Sequence, residues 1–177
     1  MKIVCFGDSN TYGYDPRSVF GERYNAIWPE LLAQKTGWNV INQGENGREI
    51  PKTSVFFPED TGLLIIILGT NDLLQFRSPK TAIGKMECFL TKLTLDREKI
   101  LLIAPPPMVF GEWVPNQELI DNSVSLAKHY QVLAERLGVR FADAGKWNIP
   151  LAFDGVHFTE EGHRAFAAGL FKEIMTP

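Results

Sequence analysis

The six residues Leu63-Leu64-Ile65-Ile66-Ile67-Leu68 are aliphatic without a break. A strand with one wet face would alternate polar and apolar residues, whereas a strand buried on both faces reads as a continuous apolar run. The run is far too short to span a bilayer, which takes about 20 residues. It therefore predicts a central strand of a parallel sheet with helices on both sides.

The rest of the chain alternates in the way such a sheet requires. Ile3–Phe6 reads as the first strand, and Trp28–Lys35 as a helix with Pro29 in its first turn and Gly37 behind it. Trp38–Asn42 is the second strand and Leu63–Leu68 the third. Ser78 and Pro79 then open a helix whose apolar stripe is Ala82, Ile83, Met86, Phe89, Leu90 and Leu93. Ile100–Ala104 is the fourth strand, stopped by Pro105-Pro106-Pro107. Asn116 caps a helix that ends near Leu137 before Gly138, and Val139–Ala142 is the fifth strand. The last helix begins after Thr159, with Glu160 and Glu161 suited to its positive end. Strands alternating with helices imply a doubly covered parallel sheet. Residues 45–62, with Pro51 and Pro58, show little helical pattern and predict a brief helix or an irregular crossover.

Length and composition fit one domain over residues 1–177. The 177 residues lie within the usual span of about 100–200 per domain. No repeat or low-complexity linker divides them. A chain of this size buries roughly two-thirds of its surface on folding, so no disulfide or metal is needed to hold it. The net charge of −3 gives no electrostatic reason to expect nucleic acid. The two cysteines, Cys5 in a strand and Cys88 in a helix, are expected to be buried free thiols. The apolar stretch after Lys2 is four residues long, and cleavage beyond it would remove Ser9. These features point to a cytoplasmic protein without stable membrane insertion.

In an open parallel sheet, ligands bind beyond the carboxyl ends of the strands. Gly7-Asp8-Ser9-Asn10 follows the first strand, Asn42-Gln43-Gly44-Glu45-Asn46-Gly47 the second, and Gly69-Thr70-Asn71-Asp72 the third. Asp154-Gly155-Val156-His157 lies in the loop after the fifth. Ser9 is the candidate nucleophile, His157 its base and Asp154 the acid that orients the base. Three residues with a glycine between them let one turn bring the carboxylate to Nδ1 and leave Nε2 for Ser9. Candidate oxyanion donors are the Ser9 N–H, the Gly44 N–H and the Asn71 amide. Asp8 and Asp72 read as acceptors that stabilise their loops, His129 as solvated, and His163 as a packing or hydrogen-bonding residue.

These blocks resemble the GDSL, or SGNH, hydrolase superfamily. Ser9, Gly44, Asn71 and His157 match its four name-giving residues, and Asp154 and His157 match its Asp-x-x-His pair. The resemblance runs from Phe6 to His163 with the blocks in order. It implies a flavodoxin-like three-layer αβα fold with a five-stranded parallel sheet. It also implies hydrolysis of esters or thioesters, with no metal and no cofactor. The stretches Gly7–Tyr14, Gly44–Arg48, Pro105–Pro107 and His157–Glu160 are similar to a branch of small intracellular arylesterases and acyltransferases. That branch prefers short acyl groups and often forms homo-oligomers. Asn10 stands where the family name has Leu, and Phe158 follows the histidine where many members have Pro or Leu. Neither position has a chemical role in the family, so the catalytic assignment is unaffected.

The expected partner is a small acyl ester. Phe110 and Trp113, in the loop after the fourth strand, belong to the core or line the substrate pocket, with the pocket favoured by the loop's place at the rim. Tyr12, Phe56, Phe57 and Phe76 pose the same alternative. Arg48 contacts a polar or anionic part of the substrate or only pairs with a surface carboxylate, with the second reading favoured. The rival reading is a flavodoxin-like module in which Gly7–Gly13 cradles the phosphate of flavin mononucleotide. It leaves Gly44, Asn71 and the Asp154–His157 pair unused.

Overall fold

A computed structural model describes residues 1–75 and 78–175. Its centre is a five-stranded, wholly parallel sheet in the order β2-β1-β3-β4-β5. The strands are β1 (Lys2–Gly7), β2 (Asn39–Gly44), β3 (Leu63–Ile67), β4 (Ile100–Ala104) and β5 (Arg140–Asp143). The helices are α1 (Ser9–Tyr12), α2 (Trp28–Thr36), α3 (Thr70–Leu74), α4 (Pro79–Thr91), α5 (Gln117–Leu137) and α6 (Glu160–Met175).

The unbroken apolar run is explained by the two layers it feeds. Leu64, Ile66 and Leu68 face one core with Met86, Phe89 and Leu90 of α4 and Leu126, Tyr130 and Leu133 of α5. Leu63, Ile65 and Ile67 face a second core with Trp28 and Leu32 of α2 and Phe166 and Leu170 of α6. β1 and β4 alternate in the same way, with Val4, Phe6, Leu102 and Ala104 on the first side and Ile3, Cys5, Leu101 and Ile103 on the second. Side chains alternate across a strand, so a strand covered on both faces must be apolar at every position.

Local chemistry sets the helix ends. The Ser78 hydroxyl accepts from the Thr81 N–H, with Pro79 at the first helical position. The Asn116 side chain accepts from the Leu119 N–H at 3.0 Å, and Gly138 closes α5 in the left-handed region at φ 69°. The expected elements are all present, with boundaries shifted by a residue or two. β2 reaches Gly44 because Gln43 and Gly44 still pair with Phe6 and Gly7. Two short helices, α1 and α3, follow directly on the polar loops after β1 and β3.

Residues 45–62 form an irregular crossover without a helix. It is anchored by Ile50, which is fully buried and donates its N–H to Asp72 Oδ2 at 2.9 Å. Asp72 and Glu49 both accept from Lys85 Nζ, so a buried carboxylate has a cation beside it. Phe57 packs edge-on against Phe6 and belongs to the core, whereas Phe56 is exposed. Phe76 lies outside the described residues.

Cys88 corrects the expectation of two buried thiols, because it is exposed. The buried stripe of α4 runs through Ala82, Met86, Phe89 and Leu90, and Cys88 falls on the opposite side of the helix. Cys5 is buried against α2 and α6, across the sheet from α4, and both thiols are free. Burial pushes the Cys5 thiol pKa up. Among the described residues, no helix is long and apolar enough to cross a membrane.

Ile65 is fully buried at the centre of β3. Ile65→Ala is expected to lower the unfolding free energy by about 2–5 kcal/mol, read from urea denaturation with an unchanged m-value.

Candidate active site

Parallel register brings the carboxyl ends of three strands together. Gly7 is paired with Gly44 on one side and Ile67 on the other. The chain leaves β1 through Asp8, whose carboxylate accepts from the Asn10 N–H at 3.0 Å and caps α1. Ser9 is thereby fixed at the start of a helical turn directly above the sheet edge. Burial pushes the Asp8 carboxyl up to about 6, against the opposing effects of the Asn10 N–H, His157 and Arg48.

The second half of the site comes from the loop between β5 and α6. Asp154 Oδ1 accepts from the N–H groups of Val156 and His157, both at 2.9 Å. Asp154 Oδ2 lies 2.7 Å from His157 Nδ1. Gly155 closes the turn at φ 82°, where a Cβ would also sit 2.2 Å from the Val109 carbonyl oxygen. Asp154 and His157 are both buried. Burial pushes the Asp154 carboxyl up, but hydrogen bonds from His157 and Val156 outweigh it and hold the pKa below the usual range.

The halves meet where Ser9 Oγ lies 2.9 Å from His157 Nε2. An ionised carboxylate only accepts, so Nδ1 carries the proton toward Asp154 and Nε2 is left as the acceptor for the serine hydroxyl. Ser9, His157 and Asn71 border a cavity of about 220 Å³ whose other walls are Tyr14, Asn46, Gly47 and Trp113. The imidazole is flanked by the Tyr14 and Trp113 rings, at centroid distances of 4.8 and 5.0 Å. One proton of Asn71 Nδ2 goes to the Arg48 carbonyl at 3.1 Å, which leaves the second for the cavity.

Gly44 and Phe110 are placed differently from the expectation, and Arg48 takes the second of its two expected roles. The Gly44 N–H donates to Asn42 Oδ1 at 2.8 Å and does not border the cavity. A glycine is required there for another reason: a Cβ would lie 2.0 Å from the Tyr12 nitrogen, where β2 passes beneath α1. The glycine at the cavity is Gly47, the second of the two in that block. Arg48 does not border the cavity. Its guanidinium donates to the carbonyls of Gly7 and Gln43, pairs with Glu45 Oε2 at 2.6 Å, and stacks on Phe6. It ties the crossover to the ends of β1 and β2. Phe110 is 64% exposed and outside the cavity, so only Trp113 of the loop after β4 reaches it. Tyr12 lies under the Arg23 guanidinium and is not a cavity wall.

The remaining assignments agree with the residues. Asp72 serves its loop, as described, and His129 is exposed. His163 is buried, its Nδ1 facing the Trp28 N–H at 3.4 Å, and burial lowers its pKa to about 4. A phosphate cradle at Gly7–Gly13 finds no support. The Asp8 carboxylate already occupies the N-terminus of α1, the Ser9 hydroxyl is bonded to His157, and Thr11 is fully buried. The sequence reading missed Tyr14, Asn46 and Gly47 as cavity walls, although all three stand in the quoted blocks.

A family model described as the GDSL-like lipase/acylhydrolase family matches residues 5–165. Among solved structures, the aryl esterase of M. smegmatis shares 26% identity, with 98% of this chain and 97% of that chain covered at a TM-score of 0.80. A carbohydrate acetylesterase family member from Sinorhizobium meliloti shares 25% identity, with coverages of 98% and 96% and a TM-score of 0.79. Among curated protein sequences, none matches this chain.

Two of the perturbed buried groups, Asp8 and His163, predict a measurable pH effect. The Asp8 pKa is raised on folding from 3.8 to about 6, so the folded state binds the proton more tightly. Its contribution to stability is present at low pH and is lost as pH rises through about 6. His163 runs the other way, and its contribution is lost as pH falls from 6.5 to about 4. Asp8→Asn keeps a capping acceptor and removes the first effect. The stability of this variant relative to the parent is expected to rise between pH 4 and pH 7 by on the order of 3 kcal/mol, read by urea denaturation at each pH.

Proposed function

The chain belongs to the GDSL-like lipase/acylhydrolase family and is a carboxylic ester hydrolase; from that premise we propose that it is a serine esterase acting on small acyl esters through Ser9, His157 and Asp154. The observation that carries this reading is the continuous chain Ser9 Oγ–His157 Nε2, 2.9 Å, and His157 Nδ1–Asp154 Oδ2, 2.7 Å, at the wall of a cavity.

Ser9 Oγ attacks the ester carbonyl carbon while His157 Nε2 takes its proton. Asp154 holds the Nδ1 proton and stabilises the imidazolium that forms. The negative charge gathering on the carbonyl oxygen is met by the Ser9 N–H, the Gly47 N–H and the second Asn71 amide proton. Gly47 takes the role expected of Gly44, because it is the glycine that borders the cavity. Collapse of the tetrahedral intermediate expels the alcohol, which receives the proton from His157. Water, or a second alcohol, then attacks the acyl group on Ser9 with His157 again as base. The second case makes the enzyme an acyltransferase by the same route. The cavity of about 220 Å³ between Tyr14 and Trp113 favours acetyl and other short acyl groups.

A fluorophosphonate probe is expected to label the protein once, at Ser9, and the mass shift is expected to be absent in Ser9→Ala. No labelling of the parent, together with no turnover of nitrophenyl acetate, would sink the proposal. Asn71→Ala is expected to lower kcat by roughly 10²–10³. In a series of nitrophenyl esters, kcat/KM is expected to fall steadily as the acyl chain lengthens beyond a few carbons.

A further inference from the structure

We propose that Asn10 is a positioning residue for His157, a clamp that makes the nucleophile and its base move as one body; this rests on the esterase reading above. Asn10 is the residue after Ser9 and is almost fully buried. Its side chain reaches across to the loop that carries the base, 146 and 148 residues further along the chain. Nδ2 donates to the Val156 carbonyl at 3.1 Å, and Oδ1 accepts from the Phe158 N–H at 2.8 Å. The two main-chain groups it holds stand immediately before and after His157.

The geometry answers a specific need. Asp154 holds the ring at Nδ1 and the N–H groups of Val156 and His157, and the Ala152 N–H donates to the His157 carbonyl, but all of these bonds lie within the base loop itself and do not tie it to the turn of Ser9. Ser9 and His157 lie on separate loops, so their separation depends on how firmly those loops are joined. A carboxamide both donates and accepts, so it can hold a carbonyl and an N–H at once. A leucine, the residue of the family name at this position, can make neither bond. Asn10 is itself held on both sides, by its N–H to Asp8 Oδ1 at 3.0 Å and its carbonyl to Trp28 Nε1 at 3.0 Å. The clamp is therefore anchored to the turn that presents Ser9 and to α2. A displacement of that turn carries the base loop with it and preserves the 2.9 Å contact between Ser9 and His157. Misplacement of a reacting group by about 1 Å can cost on the order of 10²-fold in rate, so such coupling is worth holding.

Asn10→Leu fills a similar volume and removes both bonds. Its kcat on nitrophenyl acetate is expected to fall roughly 10–100-fold with KM within about twofold, and fluorophosphonate labelling of Ser9 is expected to slow in proportion. The downfield proton resonance of His157 Nδ1, sharp in the parent, is expected to broaden or vanish in the folded variant. That last change would not follow from a loss of global stability alone. If Asn10→Leu does not fold, Asn10→Asp carries the test, because it keeps the acceptor for Phe158 and loses the donor to Val156. The same KM-against-kcat split is then expected. A parent that labels at Ser9, with a folded variant that labels equally fast and retains the resonance, overturns the clamp and leaves the esterase reading intact. A parent that does not label overturns both.

Discussion

The site depends on the parallel pairing of β1 with β2 and β3. That register sets Gly7 beside Gly44 and Ile67, so three chain segments leave the sheet at one point. Each leaves as a polar or glycine-bearing turn, because the apolar pattern stops where the strand stops. Antiparallel pairing would have sent neighbouring segments to opposite edges. The apolar demand on both sheet faces thus fixes the fold and also decides where polar groups gather.

Gathering them there has an energetic cost. Asp8, Asp154 and His157 are nearly or fully buried, and a buried charge is tolerated only when it is paired or hydrogen-bonded. Asp154 is supplied with three hydrogen bonds, from His157 Nδ1 and from the N–H groups of Val156 and His157. Asp8 has fewer compensating partners, and its pKa rises to about 6. Arg48 meets a related need: its guanidinium donates to the carbonyls of Gly7 and Gln43, the first of which also accepts from the Glu45 N–H. The same guanidinium pairs with Glu45, so its charge is consumed in holding the edge together.

The sequence made the layers legible because periodicity reports burial. Leu63–Leu68 could only be a strand covered twice, and Pro79, Asn116 and Gly138 marked helix ends through backbone chemistry that is local. Ser9, His157, Asp154 and Asn71 were legible because their chemistry and their strand-end positions coincide. Gly44 and Gly47 were not separable, since both are glycines in one block. Gly44 is required by the passing backbone of Tyr12, a contact between segments that no local pattern encodes. Phe110 and Trp113 differ by three positions in a non-repeating loop, where no period says which side chain turns inward. Cys88 was misread for a simpler reason: a small apolar residue beside a helical stripe need not lie on it. Asn10 was read only as a departure from the family name without a chemical role, because its partners are distant in sequence.

The central claim is that acyl transfer proceeds through a covalent ester on Ser9. It is tested most directly by mixing the enzyme with excess nitrophenyl acetate, quenching in acid during turnover, and mapping the modified peptide by mass spectrometry. The account predicts one acetyl group on Ser9 and a burst of nitrophenolate close to the enzyme concentration, both lost in Ser9→Ala. Turnover that persists in Ser9→Ala, or an acetyl group that maps to another residue, would contradict it.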